Sequence, residues 1–142
     1  MSLEYLLDTN VLSEPLRPQP ARRVLDWLEE HRWEAATAAP VWHELRFGCS
    51  RLPPSARRRM LETYLDDVLQ PSLPVLPYDD KAAEWHAEER ARLTGEGRTP
   101  AFVDGQIAAV AAVHQLAVVT LNASHFRPFD GLKIEEIPLT SR

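Results

Sequence analysis

The chain has 142 residues, 16 Lys and Arg against 21 Asp and Glu, and a formal net charge of −5, which fits one domain (1–142) able to bury a proper core. Its longest unbroken apolar run, Ile107 to Val113, is far short of a membrane span, and the N-terminus lacks the basic flank and long apolar stretch of a signal peptide. The single cysteine, Cys49, cannot form an internal disulfide, reads as a small packing residue on a helix, and suits a reducing cytoplasm.

Leu3 to Leu7 is an apolar run too short for a buried helix, and it predicts a buried strand. It ends on Asp8-Thr9-Asn10. An acid just past such a strand lies at the carboxyl edge of a sheet, where open α/β folds place their ligands. The same acid is also a good helix cap, so its position alone decides nothing. Thr9 and Asn10 can donate side-chain hydrogen bonds to hold it in one rotamer. Ala21 to His31 predicts an amphipathic helix with Val24, Leu25 and Leu28 inward, and Glu34 to Ala38 a strand feeding a helix opened by Pro40. Ser55 to Leu69 follows the Pro53-Pro54 break as another helix, and Leu73 to Leu76 is a short strand between Pro71 and Pro77. Asp79 or Asp80 caps a helix through Leu93. Thr99 and Pro100 open the next helix, whose stretch from Gly105 to Val113 is apolar enough to be largely buried. Ala117 to Thr120 is a buried strand and Lys133 to Ile137 an edge strand. Helices alternating with strands in this way define the α/β class.

Glu44 and Asp104 each lie four residues after a proline, about one helical turn in. With Asp8 at the end of the first strand, three carboxylates can meet on one sheet edge. Such a group is self-repelling, and its desolvation is costly without a cation. Oxygen ligands suit Mg²⁺ or Mn²⁺, and no Cys or His pair has zinc spacing. Taken singly, Glu44 and Asp104 read as solvated helix acids. Asp104 weakens that reading, because a charge heading so apolar a helix needs a partner or a cleft.

The positive charge is unevenly spread. No acid lies between Glu44 and Glu62, while Arg46, Arg51, Arg57, Arg58 and Arg59 do; Arg22 with Arg23, and Arg90 with Arg92 and Arg98, form two more patches. Such patches suit phosphates, an acidic protein segment, or simply solvent. Trp27, Trp33, Trp42 and Trp85 read as core or interface residues rather than stacking platforms. His43 points about 100° away from Glu44 on a helix, which argues against a general base there. His31, His86 and His114 read as surface or satisfied helix residues, and His125 is the histidine closest to the acidic motifs.

Four segments carry a resemblance. Leu6-Leu7-Asp8-Thr9-Asn10-Val11-Leu12 resembles the opening motif of PIN domains, and Glu44-Leu45-Arg46-Phe47-Gly48 their second. Gly97-Arg98-Thr99-Pro100 leading into Asp104-Gly105-Gln106-Ile107-Ala108-Ala109 is similar to the third, and Val118-Val119-Thr120-Leu121-Asn122 with His125-Phe126 to the fourth. Their order and spacing resemble the VapC and FitB-like toxins over essentially the whole chain. The resemblance implies a PIN-like three-layer α/β/α sandwich with a mainly parallel central sheet. It implies a Mg²⁺-dependent ribonuclease (Mn²⁺ substituting) that cleaves RNA phosphodiesters, assembles as a homodimer and is held inactive by a small VapB- or FitA-like antitoxin. Asp8, Glu44 and Asp104 fall on the family's acidic, metal-binding positions. Thr9, Asn10, Thr120 and Asn122 would orient the ligands and their water, and Arg98 would contact a phosphate. Asn122 stands where many PIN domains carry an acid, and His125 where many toxins have Asp or Glu. Two other classes stay open: a catalytically weak PIN-like module binding RNA or protein, and an aspartate-dependent phosphatase. The phosphatase chemistry wants a second aspartate at position 10, which is Asn10, and a lysine, of which there are only Lys81 and Lys133.

Overall fold

The computed structural model describes residues 2–139. Five short strands form one sheet: β1 Tyr5–Leu7, β2 Ala35–Ala38, β3 Val75–Leu76, β4 Ala117–Thr120 and β5 Ile134–Glu136. All four pairings are parallel and the order is β3-β2-β1-β4-β5. Parallel strands need crossovers, and these are supplied by α1 Thr9–Ser13, α2 Arg22–His31, α3 Ala39–Ser50, α4 Ala56–Thr63, α5 Asp80–Gly95 and α6 Phe102–Val113. Leu6, Leu7 and every residue of β2 are buried, as they must be when helices cover both faces of a sheet. On one face Tyr5 packs edge-on to Trp27 of α2, with ring centroids 4.9 Å apart. The other face is covered by α6, whose Ile107 to Ala111 are all buried, with α5 packed against it. Among the described residues no helix is long and apolar enough to cross a membrane.

Chain order runs outward from β1 to β3 on one side and from β4 to β5 on the other. The switch point therefore lies between β1 and β4, at whose carboxyl ends ligands gather in such sheets. Leu7 pairs with Val119 there, and the backbone N–H of Asp8 donates to the Val119 carbonyl at 2.9 Å. Thr37 is fully buried beside this point and donates its hydroxyl to the Leu7 carbonyl at 2.8 Å, pinning the end of β1.

Several predicted elements are shifted or split. The strand expected over 73–76 is only two residues long, because Pro74 has no N–H for the ladder; its carbonyl still accepts from Thr37 at 2.9 Å. The helix expected over 55–69 begins on a Ser55 cap but widens after Thr63 into a π-helical turn, Tyr64–Leu69, that buries both Leu65 and Leu69. Thr99 does not cap α6. Its hydroxyl pairs with Thr94 at 2.9 Å, the extended Ala101 is the cap residue, and Pro100 belongs to the lead-in. Asp104 thus sits at the third position of its helix, while Glu44 is the sixth residue of α3. The two acids enter the cleft from unequal helical depths.

Candidate functional site

Asp8 unites the two roles its sequence position allowed. Oδ1 accepts the Thr9 backbone N–H at 2.8 Å, which caps α1, and Oδ2 accepts the Thr120 hydroxyl at 2.9 Å. Thr120 is itself fully buried at the end of β4, and its Oγ1 also accepts the Asn122 N–H at 3.0 Å. The carboxylate is therefore held by a backbone amide and a threonine from the adjacent strand, not by the side chains of Thr9 and Asn10. Asn10 instead accepts the Leu121 N–H at 3.3 Å and ties the loop after β4 to α1. Asp8 is only 7% exposed, and burial pushes its carboxyl up from the ordinary aspartate range; the Thr120 and Thr9 hydrogen bonds and the nearby His125 counter part of that rise.

Asp104 faces the same point from the first turn of α6. Burial pushes its carboxyl up, the charge of Asp8 adds to the rise, His125 opposes it, and Glu44 makes a smaller addition. His125 Nδ1 lies 3.8 Å from Asp104 Oδ2. Glu44 is exposed on α3 across the cleft. The charges of Asp8 and Glu44 are thus both felt at Asp104, and no Lys or Arg among the described residues pairs with any of the three. The side chains stand apart: among the described residues no three His, Cys, Asp or Glu groups are close enough to enclose an ion unaided. The donor set is all oxygen, open on one side and mutually repelling, which fits a hard divalent cation that keeps several waters.

The remaining candidates separate clearly. Asn122 lies two residues past the end of β4 and is exposed, its Oδ1 3.4 Å from Ser124 Oγ. Arg98 is turned onto Glu96, with Nη2 2.8 Å from Oε1. Arg92 is bound to Glu89, Glu96 and Asp130 and to the Pro128 carbonyl, so it clips a loop to α5. Arg46 pairs with Asp66, Arg22 with Asp26 and Arg58 with Glu62. Many of the arginines seen in the sequence therefore have a carboxylate partner, whereas Arg57, which lines a cavity that Glu44 also lines, has none among the described residues. Trp27 and Trp42 are part-buried, whereas Trp33 is 58% exposed beneath Arg32 rather than in the core.

Two supports escaped sequence reasoning. Thr37 is a lone hydroxyl in the small apolar run Ala35-Ala36-Thr37-Ala38, and that anomaly was its signal. His86 is 4% exposed and packs its ring against Gly105, next to Asp104, while its Nδ1 lies 2.8 Å from the Tyr78 hydroxyl.

A parallel α/β sheet with Asp8 at its switch point, and with Asp104 and Glu44 on helices beside it, is an open α/β fold with acids gathered where such folds bind their ligands. The PIN domain family matches residues 5–131, and the chain belongs to that family. It is 38% identical over 124 residues to the toxin FitB of Neisseria gonorrhoeae, covering 85% of this chain and 89% of that protein. It is 35% identical over 124 residues to VapC ribonuclease Y4jK of Sinorhizobium fredii, with the same coverage. The crystal structure of FitAcB from Neisseria gonorrhoeae superposes with a TM-score of 0.85 at 35% identity, over 92% of this chain and 95% of that one. Nucleases of this family generally use a divalent metal, and membership sets the phosphatase reading aside.

Proposed function

We propose that this chain is the toxin of a type II toxin–antitoxin pair, one PIN domain over 1–142. It is a metal-dependent endoribonuclease of the cytoplasm, working as a homodimer and silenced by a small cognate antitoxin. The observation that carries the reading is the pairing of Asp8 with Asp104 at the sheet's switch point. Burial pushes both carboxyls up, the charge of Asp8 pushes that of Asp104 further, and no Lys or Arg among the described residues is bound to either. The relatives named as a toxin and a ribonuclease support the same conclusion.

Asp8 and Asp104 would hold Mg²⁺, or Mn²⁺ in its place, with Glu44 binding directly or through water. A divalent ion bound there supplies a polarised water and offsets charge on the phosphoryl oxygens. Thr120 and the Thr9 amide keep Asp8 in one rotamer, so a ligand oxygen is already oriented before substrate arrives. His125 sits beside Asp104, with Nδ1 3.8 Å from Oδ2, and offsets part of that carboxylate's charge. Asn122 adds no charge, so the protein alone offers ligands for one ion and substrate phosphates complete any second.

The test is expression in a bacterial host, with and without the antitoxin, of the parent and of Asp104→Asn. Purified protein is then assayed on RNA with and without Mg²⁺. Growth arrest and Mg²⁺-dependent cleavage by the parent alone are expected. Equal growth of both strains with soluble parent present, or cleavage that survives chelation, overturns the proposal.

A further inference from the structure

A second cavity, of about 370 Å³, opens beside the carboxylates between α1, α3 and α4. Thr9 and Glu44 line the side it shares with the acids, Leu61 and Leu65 give it apolar walls, and Arg17 and Arg57 line it with positive charge. Neither arginine is tightly committed. Arg57 has no carboxylate partner among the described residues, and Arg17 is 68% exposed and 3.8 Å from its nearest, Glu14. Gly48 lines the same cavity from the interior of α3, where glycine weakens a helix. Nothing in the packing demands it: an added Cβ would meet no atom within 4 Å, and its backbone is ordinary helix. What the missing side chain leaves is space.

Apolar walls and two uncommitted guanidiniums, adjoining acids that act on phosphodiesters, match a flat base carrying a phosphate. The volume is within the range of small-ligand sites, about 300–1,000 Å³. We propose that this cavity receives one nucleotide of the RNA flanking the scissile phosphate. Its base lies on the Gly48 face of α3 against the leucines, and its phosphate is bound by Arg57 and Arg17. The inference rests on the ribonuclease reading and assigns to Arg57 the phosphate contact that Arg98, paired with Glu96, does not offer.

The test uses the full chain and two readouts. The first is binding of a fluorescein-labelled single-stranded RNA of mixed sequence in EDTA, for the parent, Gly48→Leu, Arg57→Ala and, as a charge control, Lys81→Ala. Gly48→Leu fills the cavity with a better helix former, so its Tm should equal or exceed the parent's. Gly48→Leu and Arg57→Ala should each weaken binding roughly tenfold, Arg57→Ala should lower the salt slope by about one, and Lys81→Ala should change affinity less than about twofold. The second readout is NMR titration with nucleoside 5′-monophosphates against inorganic phosphate. Saturating shifts at Gly48, Arg57 and Leu61 with the nucleotides, absent in Gly48→Leu, are expected. Folded Gly48→Leu and Arg57→Ala that bind RNA like the parent overturn the subsite, as does a loss confined to antitoxin binding. A parent that binds nucleotides in this cavity yet cleaves no RNA overturns the ribonuclease reading and leaves the nucleotide site standing.

Discussion

Replacing Gly105 with alanine separates two opposite expectations. In an exposed helix the change stabilises by about 1 kcal/mol, because alanine restricts the unfolded chain and favours helix. Here the His86 ring fills the place of the new methyl: a Cβ would fall inside contact distance of Nε2 and 2.6 Å from Cδ2. The ring has little freedom to yield, being 4% exposed, hydrogen-bonded to Tyr78 and packed 4.8 Å from Phe102. Overpacking of this kind costs about 1–3 kcal/mol, and losing the Tyr78 hydrogen bond about 1 more. Against the helix gain, the net is a destabilisation of about 1–3 kcal/mol. Urea unfolding measures it directly. The same substitution in a His86→Ala background removes the obstacle, so there it should stabilise, and the double-mutant cycle reports the coupling. Because Asp104 precedes Gly105, any shift of this turn also moves a carboxylate of the proposed centre, and RNA cleavage should fall at least tenfold. Gly105→Ala protein more stable than the parent would refute the claim that the His86 ring leaves no room for a methyl at this turn.

Asp8→Asn, Glu44→Gln and Asp104→Asn should each lower RNA cleavage by about 10²-fold or more while leaving circular dichroism unchanged; full activity in either aspartate variant would remove the proposed centre. Without metal, Asp104→Asn should melt about 2 °C or more above the parent at neutral pH. The folded-state carboxyl is raised above its unfolded value of 3.8, so its contribution to stability is present below that pH and lost as pH rises through the folded value; the advantage of the variant should therefore vanish in acid. Thermal shift should show Mn²⁺ raising the Tm of the parent and not of Asp8→Asn. Thr120→Val strands Asp8 Oδ2 and the Asn122 N–H, and should cost about 1–3 kcal/mol in unfolding free energy together with a several-fold loss of cleavage.

The sequence by itself determined the class, the strand that presents Asp8, the burial of the helix behind Asp104 and the positions of three acids, since period, length and proline placement act locally. Ala117 to Thr120 and the apolar helix after Gly105 needed nothing further, because a chain that apolar has nowhere to go but the core. The tertiary structure decided what holds the acids. Thr120 reaches Asp8 from 112 residues away and Thr37 reaches Leu7 from 30, contacts that exist only once the strand order places β4 and β2 on either side of β1. It also decided which arginines are available. Arg98 and Arg92 look like Arg57 in sequence, but Glu96, Glu89 and Asp130 bind the first two, and Arg57 has no carboxylate partner among the described residues and lines the cavity that Glu44 borders. A side chain's charge is a local property, whereas its partner is set by packing, and the partner determines whether that charge can serve a substrate.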